Sequence, residues 1–348
     1  MKIFWMPLAW LYHLVLFFRH LSYDTGLIAS RAYTFPVISV GNLSLGGSGK
    51  TPHIEYLIRL LKPSWQIATL SRGYGRITRG YLEATPDLTA SEIGDEPRQF
   101  ASKFPDISVA VDERRVRGIQ KLREKNSPPE IVLLDDAFQH RKIKAGLNLL
   151  LTDYHQLYSD DFLFPAGQLR DTKASAKRAQ AIIVTKTPAI FSPFLEENLR
   201  SRLKPKHDQL LFFSYIKYGG FVPVSSIEKN CLTKNPSSIL LVTGIANAYP
   251  LKEHLGTRCN ELVEISYPDH HAYTEKDFLK ISNAFGAILG KNKLIVTTEK
   301  DAMRFKDSPY FRILENLPLC YVPIEVAFHQ NKGIQFDEYI LDYVRKDH

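Results

Sequence analysis

Short apolar runs alternate with segments of helical periodicity through the first half of the chain. The runs are Val37–Val40, Ile67–Leu70, Ile107–Val111, Ile131–Leu134, Leu147–Leu151 and Ala181–Thr185. After the first run, Ile54, Leu57, Ile58 and Leu61 recur at the spacing of one helix face. Strands that are apolar at every position are typical of a parallel sheet covered by helices on both faces. The pattern therefore predicts an α/β fold.

Two later apolar runs, Ile239–Thr243 and Leu294–Thr298, predict a second, smaller α/β domain. The runs Leu210–Tyr215 and Tyr321–Phe328 alternate more and predict the connections between the two domains. A chain of 348 residues is long enough for two domains. The predicted division is 1–25 as an N-terminal membrane-associated helix, 26–205 as the first domain, 206–235 as a connecting strand region, 236–320 as the second domain, and 321–348 as a return strand and C-terminal helix.

The N-terminal segment Ile3–Phe18 is apolar almost throughout and ends at Arg19–His20. As a helix it would be about 24 Å long, which is less than the hydrocarbon core of about 30 Å. A signal peptide is an alternative because Lys2 precedes the apolar run, but the bulky aromatics and the lack of a small-residue cleavage site disfavour it. We predict a retained helix at the membrane interface, and the alternative is a helix packed on the protein's own core.

The formal net charge of +8 favours anionic partners, such as a negatively charged membrane face or a phosphorylated substrate. No dense Lys/Arg run is present, so no nucleic-acid partner is predicted, and no obligate protein partner is indicated. The three cysteines, Cys231, Cys259 and Cys320, are widely spaced. Their odd number argues for a reducing compartment and against a disulfide framework.

A glycine-rich segment, Gly41–Thr51, lies between the strand Val37–Val40 and the helix that follows. Its order of residues is that of a phosphate-binding loop, in which backbone N–H groups surround a phosphate, a lysine reaches the β- and γ-phosphates, and a threonine hydroxyl binds Mg²⁺. Ser44 departs from the strict motif, which has glycine at that position. The predicted nucleotide-binding residues are Gly46, Gly47, Ser48, Gly49, Lys50 and Thr51.

A second element of a nucleotide site is the apolar run Ile131–Leu134, which ends in Asp135 and Asp136. Acids at the end of a buried strand are suited to bind Mg²⁺ opposite a phosphate loop. The segment Val184–Pro188 is similar to a guanine-binding motif, but Pro188 replaces its acidic residue, which disfavours a GTPase. The sequence thus predicts a P-loop NTPase-like parallel sheet flanked by helices, with ATP and Mg²⁺ as cofactors.

Four polar clusters follow predicted strands: Ser71–Arg76, Gly94–Pro97, Asp136–His140 and Phe164–Asp171. The last of these is expected to open a helix. The carboxyl ends of parallel strands meet at one edge of a sheet, where such folds bind ligands. The arginines of the predicted helix 112–125, Arg114, Arg115 and Arg117, are expected on a solvated face, with phosphate binding as the alternative.

In their order along the chain, these motifs resemble the tetraacyldisaccharide 4′-kinase family of lipid A synthesis. The resemblance rests on Ser44–Thr51, Ser71–Arg76, Gly94–Pro97, Asp135–His140, Pro165–Arg170, Thr243–Asn247, Pro268–Thr274 and Thr298–Ala302, and it spans almost the whole chain. It implies transfer of the γ-phosphate of ATP, with Mg²⁺, to the 4′-hydroxyl of a tetraacyl glucosamine disaccharide 1-phosphate. It also implies a monotopic protein at the cytoplasmic face of the inner membrane.

The resemblance further implies roles for individual residues. Asp95 would be the general base and His270 would orient it, with Lys50 assisting catalysis. The residues around the metal and the reacting centre would be Thr51, Glu96, Asp135 and Asp136, and those that bind substrate or phosphate would be Arg72, Tyr74, His140 and Arg170. The chain departs from the family at Asp171, where glutamate is more usual, so the contacts of that carboxylate are open.

Two other functions are compatible with parts of the sequence. An ATP-binding regulator of a membrane complex needs the phosphate loop and Asp135 but does not need Asp95 with His270. A soluble P-loop kinase for a small metabolite leaves the apolar N-terminal helix unexplained. Lipid-dependent ATP consumption separates the first alternative from a lipid kinase, and activity without detergent separates the second.

Overall fold

The computed structural model of the chain describes residues 2–224, 235–269 and 271–346. The α-helices of this part are α1 (Lys2–Asp24), α2 (Lys50–Leu61), α3 (Ala90–Ile93), α4 (Asp95–Lys103), α5 (Arg115–Arg123), α6 (Pro193–Leu203), α7 (Tyr249–Gly256), α8 (Glu275–Ala287), α9 (Glu299–Lys306) and α10 (Lys332–Arg345). The strands are β1 (Val37–Asn42), β2 (Ile67–Ser71), β3 (Leu82–Glu83), β4 (Ser108–Val111), β5 (Ile131–Asp135), β6 (Leu147–Asp153), β7 (Ala181–Thr185), β8 (Leu210–Tyr218), β9 (Val222–Pro223), β10 (Ser238–Thr243), β11 (Glu261–Ser266), β12 (Lys293–Thr298), β13 (Leu319–Val322) and β14 (Ile324–Phe328).

The chain divides into two compact units, and neither is a continuous stretch of sequence. Unit 1 consists of residues 1–86, 100–216 and 326–348, and unit 2 consists of residues 87–99 and 217–325. The chain passes between the units four times: after Pro86, and within α4, β8 and β14. The grouping of 87–99 with unit 2 differs from the sequence division, which placed this segment in the first domain. Residues 225–234 of the predicted connecting region lie outside the described residues.

Unit 1 is built on a sheet with the strand order β14-β8-β7-β6-β1-β5-β2-β4-β3. The pairs from β8 through to β4 are parallel, and β3 is antiparallel to β4. Strands β1, β2, β5 and β7 are buried at every position, because helices or loops cover both faces. The core on one face contains the apolar side of α2, including Ile54, Leu57, Ile58 and Leu61. The periodicity of that helix in the sequence therefore reflects its packing on the sheet.

Unit 2 has a smaller sheet with the order β11-β10-β12-β13-β9. Its first four strands are parallel, and β9 is antiparallel to β13. Strand β10 is buried at every position, and Phe278 and Ile281 of α8 pack against it in the core. Two capping boxes fix helix starts in this unit, at Thr89 before α3 and at Thr274 before α8.

Helix α1 is longer than the predicted apolar run, because it continues through Arg19–His20 to Asp24. Among the apolar side chains of α1 whose burial the structure describes, from Phe4 onward, Ala9 and Leu16 are the buried ones. The exposed ones are Phe4, Trp5, Met6, Leu8, Trp10, Leu11, Leu14, Val15, Phe17, Phe18 and Leu21. Within the described part of the chain, no helix combines the length and apolar character of a transmembrane span. The alternative that this helix packs on the protein's own core is not what the structure shows.

Two local predictions are wrong. The segment Phe164–Asp171 does not open an α-helix; it forms a turn, and a 3₁₀-helix follows at Lys173–Arg178. Arg115 is not on a solvated face: it is 4% exposed, because α5 begins at this residue and turns its first side chain toward the sheet. Arg117, one half-turn further on, does face solvent and pairs with Asp112.

Candidate active site

The phosphate loop connects β1 to α2 through two glycines in the left-handed region of backbone conformation. Gly46 has φ of 102° and Gly49, directly before α2, has φ of 81°. Such angles are strained for residues with a Cβ, so glycine is required at both positions. Neighbouring side chains bind the outer carbonyls of the loop: Thr185 donates a hydrogen bond to the carbonyl of Ser48 at 2.9 Å, and Lys186 donates one to that of Gly47 at 2.5 Å. The loop is therefore held in shape by β7.

Lys50, Asn42, Asp136 and Arg170 meet where β1 ends. The guanidinium of Arg170 donates two hydrogen bonds to the carboxylate of Asp136, one of them at 2.9 Å, and another to Asn42 Oδ1 at 2.6 Å. Lys50 Nζ lies 3.3 Å from Asn42 Oδ1 and 3.5 Å from Asp136 Oδ1. Two cations thus converge on one carboxylate and one amide beside the phosphate loop.

The electrostatics of this cluster favour the ionised carboxylate of Asp136. Burial alone would raise the pKa of Asp136, but the hydrogen bonds from Arg170 and the charge of Lys50 outweigh it and lower the pKa to about 2. The backbone of Asp136 has a positive φ of 51°, which turns its side chain away from the line of β5 and toward Arg170. Both cations therefore remain paired with a negative charge throughout the physiological pH range.

Asp135 and Thr51 belong to the two elements that adjoin the ends of the phosphate loop, namely β5, which pairs with β1, and α2. Val40 of β1 is in register with Asp135 of β5, whose side chain is buried. Thr51 is in the first turn of α2. Among the described residues, no three acidic, histidine or cysteine side chains form a cluster that would hold a metal ion unaided. A Mg²⁺ ion that keeps phosphate and water ligands does not need one, so the donor set of hydroxyl and carboxylate fits this ion.

A second group of polar side chains surrounds the buried Arg115. Burial lowers the pKa of Arg115 to about 10 against the opposing charges of Asp135 and Asp136. Burial, together with the charge of Arg115, lowers the pKa of His140 to about 4, so this imidazole is neutral at physiological pH. Neither Arg115 Nε nor His140 Nε2 has a hydrogen-bond partner among the described residues. These atoms are available to bind a ligand or an ordered water.

The other two predicted substrate residues of unit 1 lie on the loop after β2. Arg72 is exposed, and its charge acts on both Arg115 and His140. Tyr74 is 74% exposed. Further along this loop, Arg76 is held by Glu113 and by the carbonyl of Gly80. The loop thus presents Arg72 and Tyr74 to solvent from an anchored base.

In unit 2, the acids at the start of α4 are bound by two cations of α9. Arg304 donates hydrogen bonds to both carboxylate oxygens of Asp95, at 2.6 and 3.3 Å. Lys300 donates one to Glu96 Oε1 at 2.9 Å and lies 3.7 Å from Asp95. His270, the predicted partner of Asp95, lies outside the described residues. In the structure, the Asp95 carboxylate is therefore bound through both of its oxygens by Arg304 of α9, a contact called the Arg304 fork below.

Helix α1 is bonded to the loops that carry the unit 1 cluster. Tyr12 donates a hydrogen bond to the carbonyl of Arg170 at 2.8 Å, and Arg19 donates one to the carbonyl of Gln139 at 2.6 Å. His20 lies 2.7 Å from Asp171, which is fully buried and also accepts from Arg178. Asp171, at the position where glutamate is more usual in the family, thus anchors α1.

Four residues of these clusters were not identified from the sequence. Asn42 is the last residue of an apolar strand, and Lys186 was considered only as part of a guanine motif. Arg115 was assigned to a solvated face, and Arg304 lies two residues beyond the motif Thr298–Ala302. For Arg304 the i, i+3 spacing from Asp301 on a helix was an available signal.

A model of the family described as tetraacyldisaccharide-1-P 4′-kinase matches residues 1–344 of the chain. The chain belongs to this family. The relative from Bacteroides thetaiotaomicron, named tetraacyldisaccharide 4′-kinase, is 44% identical over 98% of this chain and 93% of its own length. A relative of the same name from Flavobacterium johnsoniae is 42% identical over 98% of this chain and 96% of its own.

The fold also matches a solved member of the tetraacyldisaccharide-1-P 4′-kinase family. The crystal structure of LpxK from Aquifex aeolicus in complex with ATP aligns with a TM-score of 0.73 at 28% identity, covering 98% of this chain and 99% of that chain. The predictions of the family, the fold class and the kinase function from sequence are thereby confirmed. The roles assigned to single residues stay predictions.

Proposed function

We propose that this chain transfers the γ-phosphate of ATP to the 4′-hydroxyl of a tetraacyl glucosamine disaccharide 1-phosphate at the cytoplasmic face of the inner membrane. The observation that carries the proposal is the convergence of Lys50 and Arg170 beside the phosphate loop, 3.5 Å or less from Asp136. Phosphoryl transfer depends mainly on positioning and charge neutralisation, and two fixed cations next to a phosphate loop supply both. Family membership defines the acceptor.

In this mechanism Lys50 and Arg170 neutralise the phosphates. Asn42 and Asp136 hold both side chains in place before the nucleotide arrives, so little reorganisation accompanies binding. Backbone N–H groups at the start of α2 face the phosphates, and Gly46, Gly47, Ser48 and Gly49 allow their close approach. Thr51 and Asp135 would hold a bound Mg²⁺, which would supply positive charge to the phosphate oxygens, and Glu96 and Asp136 would contribute to the reacting centre.

Asp95 accepts the proton of the 4′-hydroxyl as the new P–O bond forms. A carboxylate is a suitable acceptor because an alcohol loses its proton in this step, and the two hydrogen bonds from Arg304 hold the Asp95 carboxylate in one plane. His270 orients Asp95 in this proposal. Arg72, Tyr74 and His140 bind the disaccharide phosphate; the neutral imidazole of His140 acts as a hydrogen-bonding group there.

The apolar surface of α1 places the enzyme on the membrane. Tetraacylated substrate stays in the bilayer, so the site must reach the headgroup layer. One side of α1 is attached to the protein, and most of its exposed side chains are apolar. Such a helix is suited to shallow insertion into the membrane surface. A cavity of about 400 Å³ lies beside α1 and is lined by Met6, Trp10, Phe162 and Leu163 among others. Its apolar lining supports the binding of an acyl chain.

The test is transfer of label from γ-labelled ATP to tetraacyl disaccharide 1-phosphate in detergent micelles. Wild-type protein should label the lipid, and Asp95→Asn should lower the rate by several orders of magnitude while ATP binding persists. A protein that binds ATP but labels no lipid would contradict the proposed substrate and favour the regulator. Full activity toward a small metabolite without detergent would favour the soluble kinase.

A further inference from the structure

Arg304 has a contact pattern that extends beyond a surface ion pair. Its side chain is 9% exposed. Besides the two hydrogen bonds to Asp95, its Nη1 donates to Asp301 Oδ1 at 2.9 Å and to the carbonyl of Gly244 at 3.0 Å. A buried arginine with donors directed at two carboxylates and a carbonyl has little rotational freedom. It fixes the plane of any carboxylate that it binds through both oxygens.

Asp301 is in turn held from several directions. It is fully buried and accepts hydrogen bonds from the backbone N–H of Gly244 at 2.9 Å, from the Thr298 hydroxyl at 2.7 Å and from the Tyr273 hydroxyl at 3.1 Å. These donors come from the ends of β10 and β12 and from the loop before α8. Arg304 therefore transmits the position of the rigid sheet of unit 2 to Asp95.

Residues 87–99 are attached to unit 2 by the same helix. Asp307, directly after α9, accepts a hydrogen bond from the backbone N–H of Ala90 at 3.0 Å and lies 3.5 Å from Arg98. Lys300 binds Glu96. Among the ion pairs that join this segment to α9 and Asp307, only that of Arg304 binds both oxygens of Asp95. Arg304 therefore determines the direction in which the lone pairs of this carboxylate point.

We propose that Arg304 is the positioning residue of the catalytic base, because its two hydrogen bonds fix the plane in which the Asp95 carboxylate meets the acceptor hydroxyl. The inference rests on the proposed role of Asp95. The charged groups around Asp95 in the described residues are Glu96 and Arg98 on its own helix and Lys300, Asp301 and Arg304 from α9. Arg304 is the one at hydrogen-bond distance from Asp95 among them.

Two substitutions test the contact of Arg304 with both oxygens of Asp95. Arg304→Lys keeps a cation for Asp301 but cannot bind both oxygens of Asp95 at once, so kcat should fall about 10- to 100-fold. Arg304→Gln removes the charge as well as the two-pronged contact, so its kcat should fall at least as far. KM for ATP should remain within about twofold in both.

The matched control is Arg312→Gln, which removes an exposed arginine of the same unit. Thermal unfolding measures whether each variant still folds. If Arg304→Gln does not fold, the kcat of Arg304→Lys alone tests the proposal. Wild-type kcat in Arg304→Lys, or a kcat of Arg304→Gln equal to that of Arg312→Gln, would overturn the proposal. Asp95→Asn is measured in parallel: high activity there refutes the base itself, whereas an inactive Asp95→Asn with unaltered Arg304 variants refutes only the role of Arg304.

Discussion

The hydroxyl of Tyr12, in the N-terminal helix, donates a hydrogen bond to the backbone carbonyl of Arg170, whose guanidinium binds Asp136 beside the phosphate loop. The residue after Arg170, Asp171, binds His20 of the same helix. The backbone of Arg170 also donates to the carbonyl of Leu43, at the start of the loop. The helix that is proposed to contact the membrane therefore contacts the backbone of Arg170, whose side chain is proposed to bind phosphate.

Tyr12→Phe removes this hydrogen bond and keeps the ring. Since a hydrogen bond of this kind contributes about 1 kcal/mol, we expect kcat/KM for the lipid to fall about fivefold through a less well fixed Arg170. Tyr23→Phe is the control, because Tyr23 lies in the same helix as Tyr12, its ring packs against Arg141, and its hydroxyl has no hydrogen bond among the described residues. Equal effects of the two substitutions would show that the contact with Arg170 does not matter.

Arg170→Lys keeps a positive charge but loses the two-pronged contact with Asp136 and the contact with Asn42. We expect kcat to fall about 100-fold, because a flexible ammonium does not hold the same position. Arg202→Lys is the control, since Arg202 forms an exposed pair with Asp160. Steady-state kinetics on both variants, with thermal unfolding as the measure of folding, tests this. Retention of wild-type kcat in Arg170→Lys would contradict the role of the fork.

The double substitution Leu11→Glu with Val15→Glu places two charges on the exposed side of α1. Charged groups are costly in the apolar part of the interface, so co-sedimentation with vesicles that contain anionic lipid should decrease strongly. Phe194→Glu, at an equally exposed aromatic of α6, should leave vesicle binding unchanged. If the double variant sedimented as the wild type does, membrane contact through α1 would be wrong.

His53 makes stability depend on pH. Burial lowers the pKa of His53 to about 4, against an ordinary value of 6.5, while its two nitrogens contact the carbonyl of Gly49 and the hydroxyl of Ser214. The unfolded chain binds a proton below pH 6.5 and the folded chain does not do so until about pH 4, so stability is lost as pH falls through this window.

The contribution of this one group is about 1.4 kcal/mol per pH unit within the window. Urea unfolding at pH 6.0 and 5.0 should show this fall in the free energy of unfolding, and His53→Gln should reduce the fall by about that amount. His207→Gln, which changes an exposed histidine, serves as the control. An identical pH dependence in wild type and His53→Gln would contradict the assignment.

The parts of the fold that the sequence predicted are those encoded locally. Val37–Val40 and Ile131–Leu134 are recognisable as strands because burial on both faces requires apolar residues at every position. The phosphate loop is recognisable because Gly46 and Gly49 adopt angles that other residues rarely reach. Lys50, Asp136 and Arg170, chosen from separate motifs, lie together in the structure.

The parts that the sequence did not predict depend on long-range pairing or on helix phase. Residues 87–99 group with unit 2 because Asp95 and Ala90 bind Arg304 and Asp307, which nothing in the local sequence signals. Arg115 was misplaced because the charge of the segment was weighed above its helix phase: Ile119 and Leu122, four and seven residues further on, mark the buried face that Arg115 shares. The segment after Pro165 was misjudged because its polar residues bind neighbouring loops instead of capping a helix.

The attachment of the Asp95 segment to α9 has a consequence for synthesis of the chain on the ribosome. Asp95 and Arg304 are 209 positions apart, which corresponds to roughly 10 to 40 seconds of elongation at about 5 to 20 residues per second. During that interval the acids at the start of α4 have been made and the cations that neutralise them have not. The segment that carries the proposed base is thus made early and reaches its native contacts only when the nascent protein is almost finished.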